Sequence, residues 1–99
     1  MAMILVTSQK IRGVADSLGQ LNKQFKTKEE ELQTKEQALC QMWEGQAQQA
    51  FRMAFERDNK QMDAFYGLIN RYVQVLLEIA QRYEQAEAIN AEIAGSRNY

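Results

Sequence analysis

The chain has 99 residues, carries 12 Lys and Arg against 13 Asp and Glu, and contains neither His nor Pro. This length predicts one small domain, and the interspersed charges, with a formal net charge of −1, disfavour nucleic acid as a partner because no basic stripe is present to bind phosphates. Without His, a nucleophile–base pair or a glycine-rich phosphate loop, we predict neither an enzyme nor a bound cofactor or metal ion.

The N-terminal residues do not have the pattern of a membrane or export signal. The apolar run within residues 1–6 has no basic segment before it, and it is shorter than the hydrophobic region of a signal peptide. No stretch of the chain approaches the roughly 20 apolar residues of a membrane-spanning helix. If the protein leaves the cell, we therefore expect a route other than the general secretory pathway.

The first helix is predicted over about residues 8–41, with Thr7 or Ser8 as its N-cap. Its apolar residues recur every seven positions, a spacing that is typical of a helix packed lengthwise against another helix. The members of this series are Ile11, Leu18, Phe25, Leu32 and Leu39.

Charged residues dominate the middle of this helix. They include the run Glu29-Glu30-Glu31 and the oppositely charged i,i+4 pairs Lys26–Glu30 and Glu31–Lys35. Each such pair stabilises a helix by only about 0.2–0.5 kcal/mol. We interpret the segment as a solvated surface and not as a functional site. The single cysteine, Cys40, has no intrachain disulfide partner and is interpreted as an inert core thiol.

The tripeptide Trp43-Glu44-Gly45 predicts a turn over about residues 42–46. Glycine adopts positive φ without a steric penalty from a Cβ atom, so Gly45 suits the end of one helix and the start of the next. Trp43 is the only tryptophan, and it offers a large apolar face for a groove between helices. Core packing would explain this residue, and an added role in recognition stays open.

The second helix is predicted over about residues 47–93, and its apolar stripe is wider. Two interleaved seven-residue series make up this stripe. Their apolar members are Phe51, Phe55, Met62, Phe65, Ile69, Tyr72, Leu76 and Ile79, with Tyr83 continuing one series. Gly67 within this helix suggests a close helix approach, although simple tolerance is the alternative. Gly95 predicts the helix end, followed by a flexible tail over residues 95–99.

These patterns predict an all-α fold: one helical-hairpin domain over residues 1–94, with its two helices antiparallel. The second helix is apolar over more of its circumference than one partner helix can cover, which would leave an exposed patch typical of an interaction site. We therefore expect two hairpins to pair into an elongated four-helix bundle. A homodimer is favoured, and a heterodimer with a similar small protein is the alternative.

Length, helical hairpin and central Trp-x-Gly together resemble the WXG-type family of early-secreted-antigen-like (ESAT-like) proteins, which are type VII secretion substrates. The resemblance covers essentially the whole chain. Ala47, Ala50 and Phe51 are similar to the small-small-aromatic pattern that opens the second helix in this family. The family's export signal, Tyr-x-x-x-Asp/Glu near the C-terminus, is similar to the segment from Tyr83 to Glu87.

The resemblance implies a small secreted protein without enzymatic activity, which is cytoplasmic before its export. Its implied role is that of a virulence effector or an adaptor. It also implies that a type VII secretion ATPase is a partner. The residues that would carry the export signal on the folded dimer are Trp43, Gly45, Tyr83 and Glu87.

Other interpretations stay open from the residues alone. Tyr83 continues an apolar series, so packing explains it equally well, whereas Glu87 near a helix C-terminus opposes the helix dipole and favours a function. A cytoplasmic coiled-coil adaptor or chaperone for a larger secreted toxin would use the same apolar stripes. A membrane-active helical protein would expose the second helix to lipid.

Overall fold

The computed structural model describes residues 7–96, which form two helices joined by a short turn. Helix α1 spans Ser8–Gln41 and helix α2 spans Gln46–Ser96. Contacts from Arg12 to Glu84 and from Gln33 to Asn59 show that the helices are antiparallel. The hairpin measures 84 × 27 × 16 Å. The predicted all-α helical hairpin is confirmed.

The start of α1 is fixed by Thr7, which has extended backbone angles and accepts a hydrogen bond at Oγ1 from the backbone N–H of Lys10, at 3.1 Å. This cap satisfies one of the N–H groups that lack a partner within the helix. Helix α2 continues through Gly95 to Ser96, beyond the predicted helix end at residue 93. Gly95 does not have the positive φ of a helix-ending glycine, so the helix passes through it. The rest of the predicted tail, residues 97–99, lies outside the described residues.

The seam between α1 and α2 is built from small and polar side chains as much as from apolar ones. Its buried members are Ser8, Ile11, Ala15, Asn22, Glu29 and Cys40 of α1 and Ala80 of α2. Asn22 donates from Nδ2 to the carbonyl oxygen of Tyr66 at 3.0 Å and to Oδ1 of Asn70 at 2.9 Å. The hairpin is thus held by cross-helix hydrogen bonds as well as by apolar burial.

The seven-residue apolar series of α1 does not stay in this seam. Ile11 is buried and Phe25 is half-buried, but Leu32 and Leu39 are 47% and 43% exposed. A strict seven-residue repeat on a helix of 3.6 residues per turn rotates by about 20° per repeat, which carries later members away from the partner helix.

Eleven-residue spacings replace the seven-residue series in the seam. Ile11, Asn22 and Gln33 are all buried or half-buried, and Leu18, Glu29 and Cys40 form a second set. An eleven-residue repeat corresponds to about 3.67 residues per turn, close to that of a straight helix. The eleven-residue spacing therefore stays in contact with the partner helix, and part of the predicted apolar series turns outwards.

The outward-turned residues share one side of the hairpin, which is called the apolar face below. Phe25 and Phe65 are in contact across the two helices, with ring centroids 5.4 Å apart, and a groove lined by Leu21, Phe25 and Ile69 lies beside them. Helical spacing places the remaining members on the same side. The apolar face comprises Leu21, Phe25, Leu32 and Leu39 of α1 with Phe65, Ile69, Tyr72, Leu76 and Tyr83 of α2.

One prediction is wrong in detail, and the close approach predicted at Gly67 finds no support within the single hairpin. Glu29 does not lie on a solvated surface: it is only 1% exposed, and its Oε1 accepts a hydrogen bond from Lys26 Nζ at 2.9 Å, while Lys26 also reaches Asp63 at 3.2 Å. Lys26 thus pairs with Glu29 and across the hairpin, and no ion pair with Glu30 forms among the described residues. Gly67 has no close helix approach in this hairpin, since a Cβ atom there would meet nothing within 4 Å.

Candidate functional site

The turn at the closed end of the hairpin is fixed by backbone conformation and by capping hydrogen bonds. Gly45 has a φ of 105°, as predicted for the glycine that separates the helices. The backbone N–H of Met42 donates to Leu39 at 3.0 Å, and Gln48 Nε2 donates to the carbonyl oxygen of Cys40 at 2.8 Å. These bonds satisfy carbonyl groups that the end of α1 would otherwise leave without a partner.

Trp43 is held at this turn by an aromatic cluster with the start of α2. Its ring centroid lies 6.0 Å from that of Phe51, which lies 6.4 Å from that of Phe55. Tilted aromatic pairs at such distances contribute stability beyond that of the apolar area that they bury. Trp43 stays half-buried, and the neighbouring Met42 is 80% exposed. The closed end of this rod-shaped hairpin, called its tip below, therefore presents a partly accessible apolar surface.

Tyr83 and Glu87 lie near the other end of the rod. Tyr83 is 43% exposed on the apolar face, and Glu87 is exposed one helical turn further along α2. Residues at i and i+4 share one side of a helix, so the two side chains form one surface feature. Neither is fully buried in the hairpin, and packing within one chain covers only part of Tyr83.

Glu84, which directly follows Tyr83 in the sequence, is bound to α1. Arg12 donates from Nε to Glu84 Oε2 and from Nη2 to Oε1, both at 2.7 Å, in a two-pronged ion pair. This hydrogen bonding and the positive charge hold the pKa of the Glu84 carboxyl below its ordinary value, and they raise the pKa of Arg12.

The predicted site residues are not brought together within one chain. About 37 residues of α2 separate the turn from Tyr83, which at 1.5 Å per residue is about 55 Å. Trp43 and Gly45 lie at the closed end of the hairpin, and Tyr83 and Glu87 near its open end. Any surface that combines them requires a second molecule.

Other kinds of site find little support in the described part of the chain. No group of three or more His, Cys, Asp and Glu residues that could hold a metal ion occurs there. Neither described helix is long and apolar enough to cross a membrane. Cys40 is buried, and burial followed by its hydrogen bond to Glu36 raises the pKa of its thiol, which disfavours the reactive thiolate form.

Sequence reasoning missed the contacts that join the helices through polar side chains. These contacts involve Asn22, Glu29, Arg12 and Glu84. The turn at Gly45 indicates their approximate register, because an antiparallel hairpin pairs residues at similar distances from its turn. The two residues of a pair lie 19 and 18 positions from Gly45 for Lys26 with Asp63, and 12 and 14 positions for Gln33 with Asn59, but 33 and 39 positions for Arg12 with Glu84.

Comparison with known proteins gives one family and one fold. The family model described as WXG100, proteins of 100 residues with WXG, matches residues 3–88. No curated protein sequence matches the chain. A crystal structure of the secreted protein EsxB from Bacillus anthracis strain Sterne, labelled with selenomethionine, is similar with a TM-score of 0.78 and 20% identity, covering 88% of this chain and 99% of that one. A point mutant of the same protein gives a TM-score of 0.76 at 20% identity, covering 88% and 96%.

Proposed function

Because this chain belongs to the WXG100 family, we propose that it is a type VII secretion substrate that is recognised and exported as a folded, non-enzymatic dimer. The observation that carries the proposal is the uncovered apolar face, which extends along a hairpin whose tip holds the Trp-x-Gly turn. The proposal assigns the export signal to Trp43 and Gly45 together with Tyr83 and Glu87.

A second copy of the chain is the proposed occupant of the apolar face. The side chains of this face lie on both helices and include Leu21 at 60% exposed, Phe65 at 49% and Tyr72 at 50%. A contiguous apolar surface of this length is rare on a soluble monomer and marks an interface. Both helices contribute apolar residues to it, so a copy of the same chain offers a matching surface, and two hairpins would form a four-helix bundle.

An antiparallel pairing of the two hairpins would join the separated parts of the signal. The tip of one hairpin would then lie beside the open end of the other, and Trp43 of one copy would lie near Tyr83 and Glu87 of its partner. A composite surface of this kind exists only after folding and pairing. A secretion ATPase that binds it would therefore select the assembled dimer over an unfolded or single chain.

The test is export from a host with a working type VII system. We expect wild-type protein in the culture medium, whereas Tyr83→Phe and Glu87→Gln stay in the cells. Removing a charge-assisted contact costs about 1.5 kcal/mol or more, so the exported fraction of Glu87→Gln should fall by about tenfold. A cytosolic marker controls for lysis, and circular dichroism for folding.

Two matched variants make the test specific. Tyr72 lies on the apolar face with an exposure similar to that of Tyr83, but Leu76 follows it at the fourth position. Glu92 is an exposed acid near the same end with Ala88 four residues before it. We expect Tyr72→Phe and Glu92→Gln to be exported normally. Wild-type protein that remains in the cells would overturn the proposal and favour a cytoplasmic adaptor or chaperone.

A further inference from the structure

The Arg12–Glu84 ion pair occupies a distinctive position in the hairpin. Both oxygens of Glu84 accept from one guanidinium at 2.7 Å, so the pair has a fixed relative orientation that a single contact would not give. This arrangement joins the first turns of α1 to α2, and we call it the open-end clamp.

The position of Glu84 in the open-end clamp shows which way the neighbouring side chains of α2 point. Successive residues of an α-helix are about 100° apart, so Tyr83 lies about 100° from Glu84 and Glu87 about 60° from it, both on the same side. With Glu84 facing α1, Tyr83 is directed to the apolar face and Glu87 lies beside it. Rotation of α2 about its own axis would move both together.

Among the side chains that the structure describes, Glu84 is the last one of α2 that contacts α1. Ala80 is fully buried one turn earlier, whereas every residue from 85 to 92 is exposed. Helix ends without tertiary contacts open more readily than packed segments. Glu87 lies within one turn of the clamp, on the side where α2 has lost the support of the described part of α1.

We propose that Arg12 is a positioning residue for the export signal, because its two-pronged contact with Glu84 fixes the rotation and order of the segment that carries Tyr83 and Glu87. This inference rests on the proposed function. It adds a residue of α1 to a signal whose C-terminal part, Tyr83 and Glu87, lies only on α2. The display of Tyr83 and Glu87 then requires that the two helices pack together.

The experiment compares export and local opening in full-length variants. Arg12→Gln should lower the exported fraction by about fivefold, which corresponds to the largest free energy that an exposed ion pair usually contributes. It should also speed amide hydrogen exchange over residues 85–92. The charge-swapped double variant Arg12→Glu with Glu84→Arg should restore both. Asn22→Ala is the matched control, because it removes a different cross-helix contact and leaves the clamp intact. It should be exported normally even though it lowers overall stability.

Each result decides between the clamp and the alternatives. Retention of Arg12→Gln with rescue by the double variant supports the inference. Normal export of Arg12→Gln while Glu87→Gln is retained overturns the inference alone and leaves the proposed function standing. Export of Glu87→Gln overturns the proposed signal itself. Retention of Asn22→Ala together with Arg12→Gln would show that export follows general stability, and it would overturn the positioning role.

Discussion

At the residue scale, Gly45 and Gly67 have the same free space around them, but a substitution by Ala should change stability in opposite directions. A Cβ atom at Gly45 or at Gly67 would meet nothing within 4 Å. Gly45 has a φ of 105°, whereas Gly67 is an ordinary helical residue. The steric environment is therefore matched, and only the backbone conformation differs between them.

We expect Gly45→Ala to lower the free energy of unfolding by about 1–2 kcal/mol, because L-residues with a side chain rarely adopt this φ. Gly67→Ala should raise it by about 0.5–1 kcal/mol through helix propensity. Urea unfolding followed by circular dichroism, at one fixed protein concentration, measures both. A loss of stability in Gly67→Ala would show that Gly67 packs closely in the assembled dimer.

Asn22 is a second residue whose contribution can be isolated. It is 3% exposed, and its two hydrogen bonds cross from α1 to α2. Asn22→Ala removes both bonds, and we expect a loss of about 1–2 kcal/mol in unfolding free energy. Gln24→Ala, at an exposed position on the same helix, should change it by less than about 0.5 kcal/mol. Equal effects of the two variants in thermal unfolding would contradict a structural role for the Asn22 bonds.

At the scale of the helices, the open-end clamp gives the hairpin a pH dependence. Arg12 holds the pKa of Glu84 below its ordinary value, so the folded state binds this proton more weakly than the unfolded chain. The stabilisation is fully present above the unfolded pKa, about 4.3 for Glu, and it is lost as the pH falls through the lower, folded pKa.

We therefore expect the melting temperature to fall below about pH 4, and Glu84→Gln to flatten part of that fall. At neutral pH the same variant should be the less stable protein, and the two melting curves should converge in acid. Glu56→Gln, at an exposed position of the same helix, serves as the control. Parallel melting curves for wild type and Glu84→Gln down to pH 2 would contradict a contribution of the clamp to stability.

Much of the hairpin can be predicted from local sequence signals. Thr7 and Gly45 mark helix boundaries by capping and by backbone conformation, and both are read from the residue itself. The seam is harder to predict, because it depends on how the helices rotate against each other. Leu32 and Leu39 fit the seven-residue series but lie outside the seam, and Glu29 is buried although its neighbours suggest a solvated run. The repeat of eleven residues is hidden in the sequence, since half of its members are polar.

The candidate site is only partly predictable for a related reason. Trp43 and Tyr83 are recognisable from short motifs, but their roles depend on a partner surface that one sequence does not describe. Arg12 carries no motif at all. Its contact with Glu84 depends on how the two helices align, because the two residues lie at different distances from Gly45.

At the scale of the whole molecule, the seam and the apolar face contribute differently to stability. The seam within the hairpin buries few large side chains, and much of the apolar area of the chain is on the outer face. We infer that pairing supplies a large part of the stability, so that folding and association are coupled. The melting temperature should then rise with protein concentration.

Leu21→Glu tests this coupling, because it places a charge in the middle of the apolar face. We expect dimerisation to weaken by about 2 kcal/mol or more, which is about thirtyfold, and the melting temperature to fall with it. Gln24→Glu introduces the same charge at a nearby exposed position and should leave both unchanged. Sedimentation equilibrium measures the association. A stable wild-type monomer at micromolar concentration would contradict the coupling.

The elongated form of the hairpin also governs how the molecule moves through a solvent or a gel matrix. Its radius of gyration is 22.9 Å, against about 13 Å for a compact domain of about 100 residues. Friction depends on shape as well as mass, so a single hairpin should elute from a gel-filtration column ahead of globular standards of equal mass. An elution volume that suggests a dimer is therefore the expected behaviour of one rod-shaped chain, and a true dimer should elute earlier still.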